Sequence, residues 1–463
     1  MRIDDPLKSL QALFWNKDLK EFRVCERGRR WLQREERPRT VQFLMTGCEE
    51  VFLKKTVFII ILSCLFLSAC APVGPAGEVQ PLPERKNSLA LIAVNEGLPR
   101  DGQWRENIVL ADMNGDGLLD IVAPPARAAE KEKNRPSIFL RDKEGWKEGA
   151  FDFPPLKEYG YGGIAAGDIT RDGRPDLVLA VHQGKLIILE NNGSSGFVER
   201  AFPGKEKFHS RAVELNDMNG DGRQDIIALS ESPFDASMVK EPKGILIGSA
   251  KEGNAWEVRI VEASAALFGD SLAIGDFRGT GNKDIAIAPL VFKKREKAKL
   301  IWFGNGKGDF SLYDGDLIKE TIASYVRAGD LKGDGKDEVV FRVSGFGKTA
   351  RSFLSAFEWT GTGFADISKG LEQIEDPVVF DLSDVDRDGK KELVVLSTSG
   401  IEIYKHIDNA WVERGFYRLS HAETAGAADL KAGRNRDGSL LIAYNLGRTE
   451  SGLNRGIRAY LLK

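Results

Sequence analysis

The sequence predicts an all-β chain: a seven-bladed β-propeller of four-stranded antiparallel blades, preceded by an export signal. Three observations carry that prediction. An Asp-rich turn recurs seven times, each copy just ahead of a short apolar strand. The first, Asp112-Met113-Asn114-Gly115-Asp116-Gly117-Leu118-Leu119-Asp120, runs into Ile121-Val122-Ala123, and the pattern returns from Asp168, Asp217, Asp276, Asp330, Asp384 and, in worn form, Asp429. Successive copies start 56, 49, 59, 54, 54 and 45 residues apart, and a period of about 50 residues with strands inside each unit marks a repeat architecture, most naturally a propeller. An aromatic residue then opens the outer strand of six units: Trp146, Phe197, Trp256, Phe310, Phe364 and Trp411. Each follows a tight turn and reads as packing between blades.

Residues 1–69 differ from the rest. Lys54-Lys55 precede the apolar run Thr56–Phe66 and then Leu67-Ser68-Ala69-Cys70. Two cations, a short apolar stretch and small residues before a cleavage point describe a signal peptide over 51–69, because a membrane span needs about 20 apolar residues. Leu67–Cys70 resembles the lipobox of bacterial lipoproteins, which implies cleavage before Cys70 and lipidation of that residue. An uncleaved signal anchor is the competing reading. Residues 1–50 read as the product of a misassigned start, with translation from Met45 or Val51, or as a genuine extension.

Pro- and Gly-rich residues 70–87 form the lipidated cysteine and a flexible tether. Pro72, two positions after Cys70, is not the Asp that resembles an inner-membrane retention signal, so attachment to the outer membrane of a bacterial envelope is expected. All four cysteines (Cys25, Cys48, Cys64, Cys70) lie at or before the lipidation site, so residues 71–463 hold no disulfide. Residues 1–69 carry 13 Lys and Arg against 9 Asp and Glu, a surplus of +4, which turns the formal −3 into −7 over 70–463. Much of that charge sits in the repeated turns, and no basic block of the size nucleic acid requires is present.

The propeller is expected over 88–463, and its second unit shows the pattern best. Gly163–Asp168 is a first strand, the turn follows at 168–176, Leu177–Val181 is a second strand and Lys185–Leu189 a third. Asn191-Asn192-Gly193 then turns into Phe197–Arg200. Four apolar runs separated by Gly and Asn turns make an antiparallel meander, and such a sheet buries its faces only against neighbours. The seventh unit offers three strands, at Gly426–Asp429, Ser439–Ala443 and Gly456–Leu461. Ser88–Ala93 belongs to no unit and is expected to supply the missing fourth, closing the ring without an open edge.

Numbered from its first Asp, the turn places side-chain oxygens at positions 1, 3, 5 and 9 and a backbone carbonyl at 7, with Gly at 6 to allow φ > 0. Calcium takes 6–8 oxygens at about 2.3–2.6 Å and suits that set. An EF-hand is excluded: position 12 is Ala123 or Leu179 rather than Glu, and the flanks are strands. Structural calcium is expected at Asp112, Asn114, Asp116, Asp120; at Asp168, Thr170, Asp172, Asp176; at Asp217, Asn219, Asp221, Asp225; and at Asp384, Asp386, Asp388, Glu392. The fifth turn has Lys332 at position 3 and the fourth has Arg278 and Thr280, so the fourth is expected empty. No site is expected at Asp429. The competing reading of every turn is closure by Asx hydrogen bonds without an ion.

Phe268-Gly269-Asp270, Ile274-Gly275-Asp276 and Ile285–Pro289 resemble an FG-GAP repeat, and Ala166–Asp168 with Asp176–Ala180 resembles the related VCBS repeat. The resemblance spans roughly 88–463. It implies the seven-bladed propeller found in the head of integrin α-chains, with calcium loops between the first two strands of each blade. It implies no particular activity, because the scaffold serves adhesion, assembly and enzyme accessory roles alike.

His182, His209, His406 and His421 fall in different units, and neither a metalloprotease pair nor a nucleophile elbow is present, so the sequence names no catalytic residue. The expected function is a binding, adhesion or assembly module held at the membrane by its lipid, with an envelope protein or glycan as partner. The alternative is an envelope hydrolase or lyase working in the propeller channel. Partner contact is expected on the face opposite the turns, where Pro124–Pro136, Glu231–Lys243 and Leu290–Lys299 make long loops. Lys293, Lys294 and Arg295 form a basic rim there, with Tyr159, Tyr161, Phe208, His209, Phe268 and Tyr325 on the connections into the inner strands.

Overall fold

Twenty-eight strands fold into seven four-stranded antiparallel sheets arranged as a propeller. The computed structural model describes residues 85–463 except 128–133, 156, 158, 194–195, 203–207, 232–243, 252–254, 262–268, 290–299, 319–321, 346–350 and 448–454. The signal, Cys70, most of the tether, Phe268 and the Lys293–Arg295 rim therefore lie outside the described residues. Within them, no helix is long and apolar enough to cross a membrane.

Blade one comprises β2 (Val109–Ala111), β3 (Asp120–Ala123), β4 (Ser137–Arg141) and β5 (Trp146–Glu148). Blade two holds β6 (Gly162–Gly167), β7 (Asp176–Val181), β8 (Leu186–Asn191) and β9 (Phe197–Arg200), close to the boundaries read from sequence. Blades three and four follow as β10 (Ser210–Asn216) to β13 (Trp256–Val261) and β14 (Gly269–Gly275) to β17 (Phe310–Leu312). Blades five and six are β18 (Ile322–Gly329) to β21 (Phe364–Asp366) and β22 (Pro377–Ser383) to β25 (Ala410–Arg418). The aromatic markers open or nearly open each outer strand, and Trp146, Phe197 and Trp411 are buried.

Blade seven is built from both ends of the chain. β26 (Ala427–Arg434), β27 (Leu440–Leu446) and β28 (Gly456–Leu462) are completed by β1 (Leu91–Ala93), whose Leu91 faces Leu462 and Ala93 faces Tyr460. The preceding residues strap onto blade six: Ser88 N and Leu89 N donate to Phe416 O, and Arg85 Nη1 lies 2.9 Å from the fully buried Glu402. The tether thus ends at about Arg85, and the strand begins three residues later than Ser88.

The core lies between blades. β7, β11 (Asp225–Ser230), β15 (Asp284–Pro289) and β23 (Glu392–Ser397) are buried at every position, which is why they read as continuous apolar runs. Alternate residues serve alternate neighbours: Leu177 and Leu179 pack with Ile138 and Ile164 toward blade one, while Val178 and Ala180 meet Val213 and Ile226 of blade three. Period-two geometry converts one apolar strand into two interfaces.

One register differs from the expectation. Asp429 lies inside β26 rather than at the start of a turn. The seventh turn runs over Asn435–Ser439, closed by Asn435 N to Ser439 O, and it is shorter than the others. Asn435, 51 residues after Asp384, is the true counterpart of the other turn-opening residues.

Candidate metal-binding loops and the central channel

Each inner strand ends one residue before its turn, so position 1 sits at the strand's exit and position 9 is the first residue of the next strand. Loop one is closed by its own acids. Asp112 Oδ1 accepts from Gly115 N and Asp116 N at 2.7 and 3.0 Å, and Oδ2 from Gly117 N at 2.8 Å. Loop three repeats the scheme from Asp217 to Gly220 N and Gly222 N at 2.7 and 2.8 Å. Six loops hold a left-handed residue at position 6, from Gly117 to Gly389, and also at position 4, where Arg171 and Arg387 adopt φ 62 and 65 without being Gly. The second left-handed position is not evident in the sequence for that reason.

Position 9 does more than offer a ligand oxygen. The carboxylate of Asp120, fully buried, accepts from Met113 N at 2.9 Å and from Arg141 N at 2.8 Å, tying turn, second strand and third strand together. Asp225 does the same with Met218 N and Ala250 N, and Asp176 with Ile169 N and Asn191 N. Burial drives Asp120 up to about 7 and Asp225 up to about 6, with backbone donors opposing the shift and the neighbouring loop acids adding to it. Among the described residues, no Lys or Arg pairs with the acids of loops one and three. The Arg141 guanidinium acts on Asp116 and Asp120 only from longer range. A buried carboxylate without a direct ion pair, beside further hard oxygens, fits a divalent cation. Asp112, Asn114, Asp116 and Asp120, and their loop-three equivalents, are the residues that would hold it. Loop two is similar, except that Arg174 Nη2 contacts Asp172 from the outside.

Loops four to six contain cations of their own. In loop four, Arg278 at position 3 grips Asp284 with Nη2 to Oδ1 at 2.8 Å and Nε to Oδ2 at 3.2 Å, and its guanidinium carbon stands 4.5 Å from the Phe303 ring centre. In loop five, Lys332 pairs with Glu358 on the third strand. Loop six brings together Asp384, Asp386 and Asp388 with oxygens close enough to share an ion. Lys405 Nζ lies among these acids, 2.5 Å from Asp386 Oδ2, 2.8 Å from Asp388 Oδ2 and 2.7 Å from Glu392 Oε1. Burial works against that ammonium, yet the hydrogen bonds to the three acids raise its pKa well above an ordinary lysine's. Lys405 carries no motif, and only the β-register exposes its role.

Two ion-pair knots stand between the inner strands in the channel, and a cavity of about 430 Å³ lies against Glu214, Gln224, Asp381 and Lys431. β-bulges at the head of β10 and β14 leave Arg211 and Asp270 as the extra residues, and Arg211 Nη2 meets Asp270 Oδ1 at 2.8 Å. The same guanidinium reaches Glu231 at 3.3 Å and Glu106 at 3.5 Å, while His182 Nδ1 lies 2.7 Å from Glu231. In the second knot Arg327 Nη2 lies 2.6 Å from Asp429 Oδ1, Tyr325 OH bonds the same carboxylate, and Asp381 stands 3.5 Å from Arg327 Nε. Asp429 is therefore a channel residue.

The aromatic rim is largely absorbed into the core. Tyr159, Phe208 and Tyr325 are buried, and His209 is half-buried. Tyr161 is partly exposed, its ring centre 4.6 Å from that of His182 at a 32° tilt, with Arg127 5.8 Å from it. The four sets expected to bind calcium stay in separate loops, one to a blade.

The family model of the FG-GAP-like repeat matches residues 168–228, from the start of loop two through the following turn and into the second strand of blade three. No curated protein matches the chain. Among solved structures, "BBS1N in complex with ARL6DN, soaked with lead" is 14% identical, with 80% of this chain and 96% of that one covered and a TM-score of 0.49. The "Dos1 propeller" is 11% identical over 78% and 82% of the two chains, with a TM-score of 0.43. An α-L-arabinofuranosidase from Fusarium graminearum is 11% identical over 68% and 96%, with a TM-score of 0.41. Fold, repeat pattern and matched repeat agree: the chain is a seven-bladed β-propeller built from FG-GAP-like repeats.

Proposed function

We propose that this propeller is a calcium-stabilised binding module, anchored through a lipid on Cys70 to a bacterial outer membrane, that holds an envelope protein or glycan on the face opposite its turns. The observation that carries the binding reading is the channel. Its two central arginines are engaged with acids, Arg211 with Asp270 and Arg327 with Asp429, which commits these residues to structure and favours recognition by the loops. Calcium enters, in a structural role, through the acids of loops one to three, of which Asp172 alone among the described residues meets a cation directly, Arg174. Exported modules bind it at about 10⁻⁴–10⁻³ M, a range in which an extracellular ion supports folding without signalling.

The basic residues Lys293, Lys294 and Arg295 supply the contact in this reading, since a cluster of cations on a long loop suits an acidic protein surface or an anionic glycan. The test is cross-linking of the full chain in its native envelope. Charge reversal of all three residues is expected to abolish the cross-linked partner while membrane attachment persists. Cys70→Ala is expected to release the protein from the membrane. Unchanged cross-links after the triple reversal would remove the rim from the proposal, and retention of Cys70→Ala in the membrane would remove the lipid.

A further inference from the structure

β-Ladder register identifies the residue on each third strand that stands over its loop. Leu393 pairs with Tyr404, placing Lys405 next along the strand. By the same pairing, Val339 with Phe357 marks Glu358, Ile285 with Trp302 marks Phe303, and Ile121 with Phe139 marks Leu140. Leu177 with Leu189 marks Glu190, and Ile226 with Gly248 marks Ser249.

Set against loop position 3, these residues form a series. Blade four pairs Arg278 with the ring of Phe303, blade five pairs Lys332 with Glu358, and blade six pairs Asp386 with Lys405. Blades five and six hold the same contact with its polarity reversed. Blades one and three have Asn114 over Leu140 and Asn219 over Ser249, with no cation at either place. In blade two the marked residue, Glu190, turns to Arg200 on its outer strand.

We propose that a tethered side-chain cation replaces the metal in blades four to six, and that Lys405 does so in loop six, whose own acids otherwise form a complete calcium set. The inference deepens the calcium reading above and confines the ion to blades one to three. The ammonium is buried, at 9% side-chain exposure, and touches three of the four loop acids at hydrogen-bond distance. A divalent ion among the same oxygens would lie against it, and two cations at such separation repel while competing for the same carboxylates. Asp384 Oδ1 is buried without a hydrogen-bond partner, so the loop keeps an unused ligand. Removing the lysine would therefore expose a working metal site rather than a collapsed turn.

The test is calcium stoichiometry by equilibrium dialysis on the full chain in detergent, with thermal unfolding in calcium and in chelator. Lys405→Met is expected to bind one more calcium per chain than the wild type, to unfold several degrees lower in chelator, and to recover when calcium is restored. Equal stoichiometry in the two proteins overturns the proposal. If Lys405→Met fails to fold, Asp384→Asn in the wild-type background decides: an unchanged calcium count supports the tethered cation, and the loss of one ion refutes it. Failure of the underlying reading looks different. A wild type that binds no calcium beside a Lys405→Met variant that binds one would retain the lysine and remove metal from blades one to three.

Discussion

The two halves of the ring solve one electrostatic problem in different ways. Every full-length turn places an acid at position 1 and another, fully or almost fully buried, at position 9. In blades one and three no Lys or Arg forms an ion pair with those acids among the described residues, the Arg141 guanidinium acting on Asp116 and Asp120 only from longer range. Burial pushes Asp120 and Asp225 toward neutrality. In blades four and six the chain supplies Arg278 and Lys405, whose charges reach the position-9 carboxylates directly. An intramolecular cation is always present and needs no external concentration. A metal brings two charges and more ligand bonds, but it binds only in proportion to its supply. The same backbone loop thus accommodates a regulated and an unregulated form of one contact.

The largest effect that separates the halves is calcium removal. With about 10 mM calcium and dissociation constants of about 10⁻⁴–10⁻³ M, each occupied loop contributes about 1.4–2.7 kcal/mol, or about 4–8 kcal/mol for loops one to three together. Chemical denaturation in calcium and in chelator measures the difference. Asp112→Ala and Asp217→Ala are each expected to remove one share of it. Asp384→Asn is expected to remove none.

Next in size is Asp284→Ala in blade four. It leaves the Arg278 guanidinium without its bidentate partner and Gly304 N without an acceptor. Breaking a buried pair from one side costs about 3–5 kcal/mol, and the loss is expected to be equal in calcium and in chelator. Asp120→Ala, by contrast, leaves the Met113 and Arg141 amides unpaired, at about 1–3 kcal/mol in chelator, and loses the calcium share in addition. A calcium-dependent cost for Asp284→Ala would erase the distinction between the halves.

Acidity gives a smaller, signed test. Burial raises Glu338 of loop five to about 7, as it raises Asp120. A folded-state pKa above the unfolded one favours the protonated form in the fold. The stability it contributes is fully present below about pH 4 and is lost as pH climbs through about 7. In chelator, stability is therefore expected to fall across that window. Calcium binds only the deprotonated carboxylates, so it should reverse the slope due to Asp120 and Asp225 and leave the slope due to Glu338. Glu338→Gln in calcium then removes the residual fall, read as a flatter denaturation midpoint against pH.

Much of this architecture was legible in the residues. The Asp turns, the apolar second strands and the aromatic markers are local signals, each confined to a few positions, and they located the strands of blade two to within a residue or two. Ser88–Ala93 was assigned to blade seven because an unpaired strand and an incomplete unit complement each other. Asp429 was misplaced because the seventh turn is short and opens with Asn435, keeping Asp437 as its one acid, and an Asp of the channel stood near the expected interval. Lys405 was out of reach for a different reason. It lies 13 residues beyond Glu392, on another strand, and its partners are defined by cross-strand register rather than spacing. The aromatic rim misled because Tyr159 and Phe208 occupy connections that dip into the core, while Tyr325 lies on β18 with its hydroxyl bonded to Asp429 in the channel.

The finest comparison is between blades five and six, which differ in the direction of one ion pair. Lys332 and Glu358 are about a quarter exposed, so their attraction is screened and worth about 0–1 kcal/mol. Exchanging them through the double change Lys332→Glu and Glu358→Lys rebuilds in loop five the constellation of loop six: Asp330, Asp334 and Glu338 with an acid at position 3 and an ammonium above it. The double variant is expected to match the wild type within about 1 kcal/mol and to stay indifferent to calcium. Lys332→Glu alone is expected to do neither. It gathers four loop acids with Lys336, 3.1 Å from Asp334, as the cation left beside them, losing stability in chelator and gaining one calcium per chain in dialysis. If instead the single and double variants behave alike, the cation above the loop is a surface ion pair of no consequence, and the difference between the two halves of the ring must reside in the loop acids themselves.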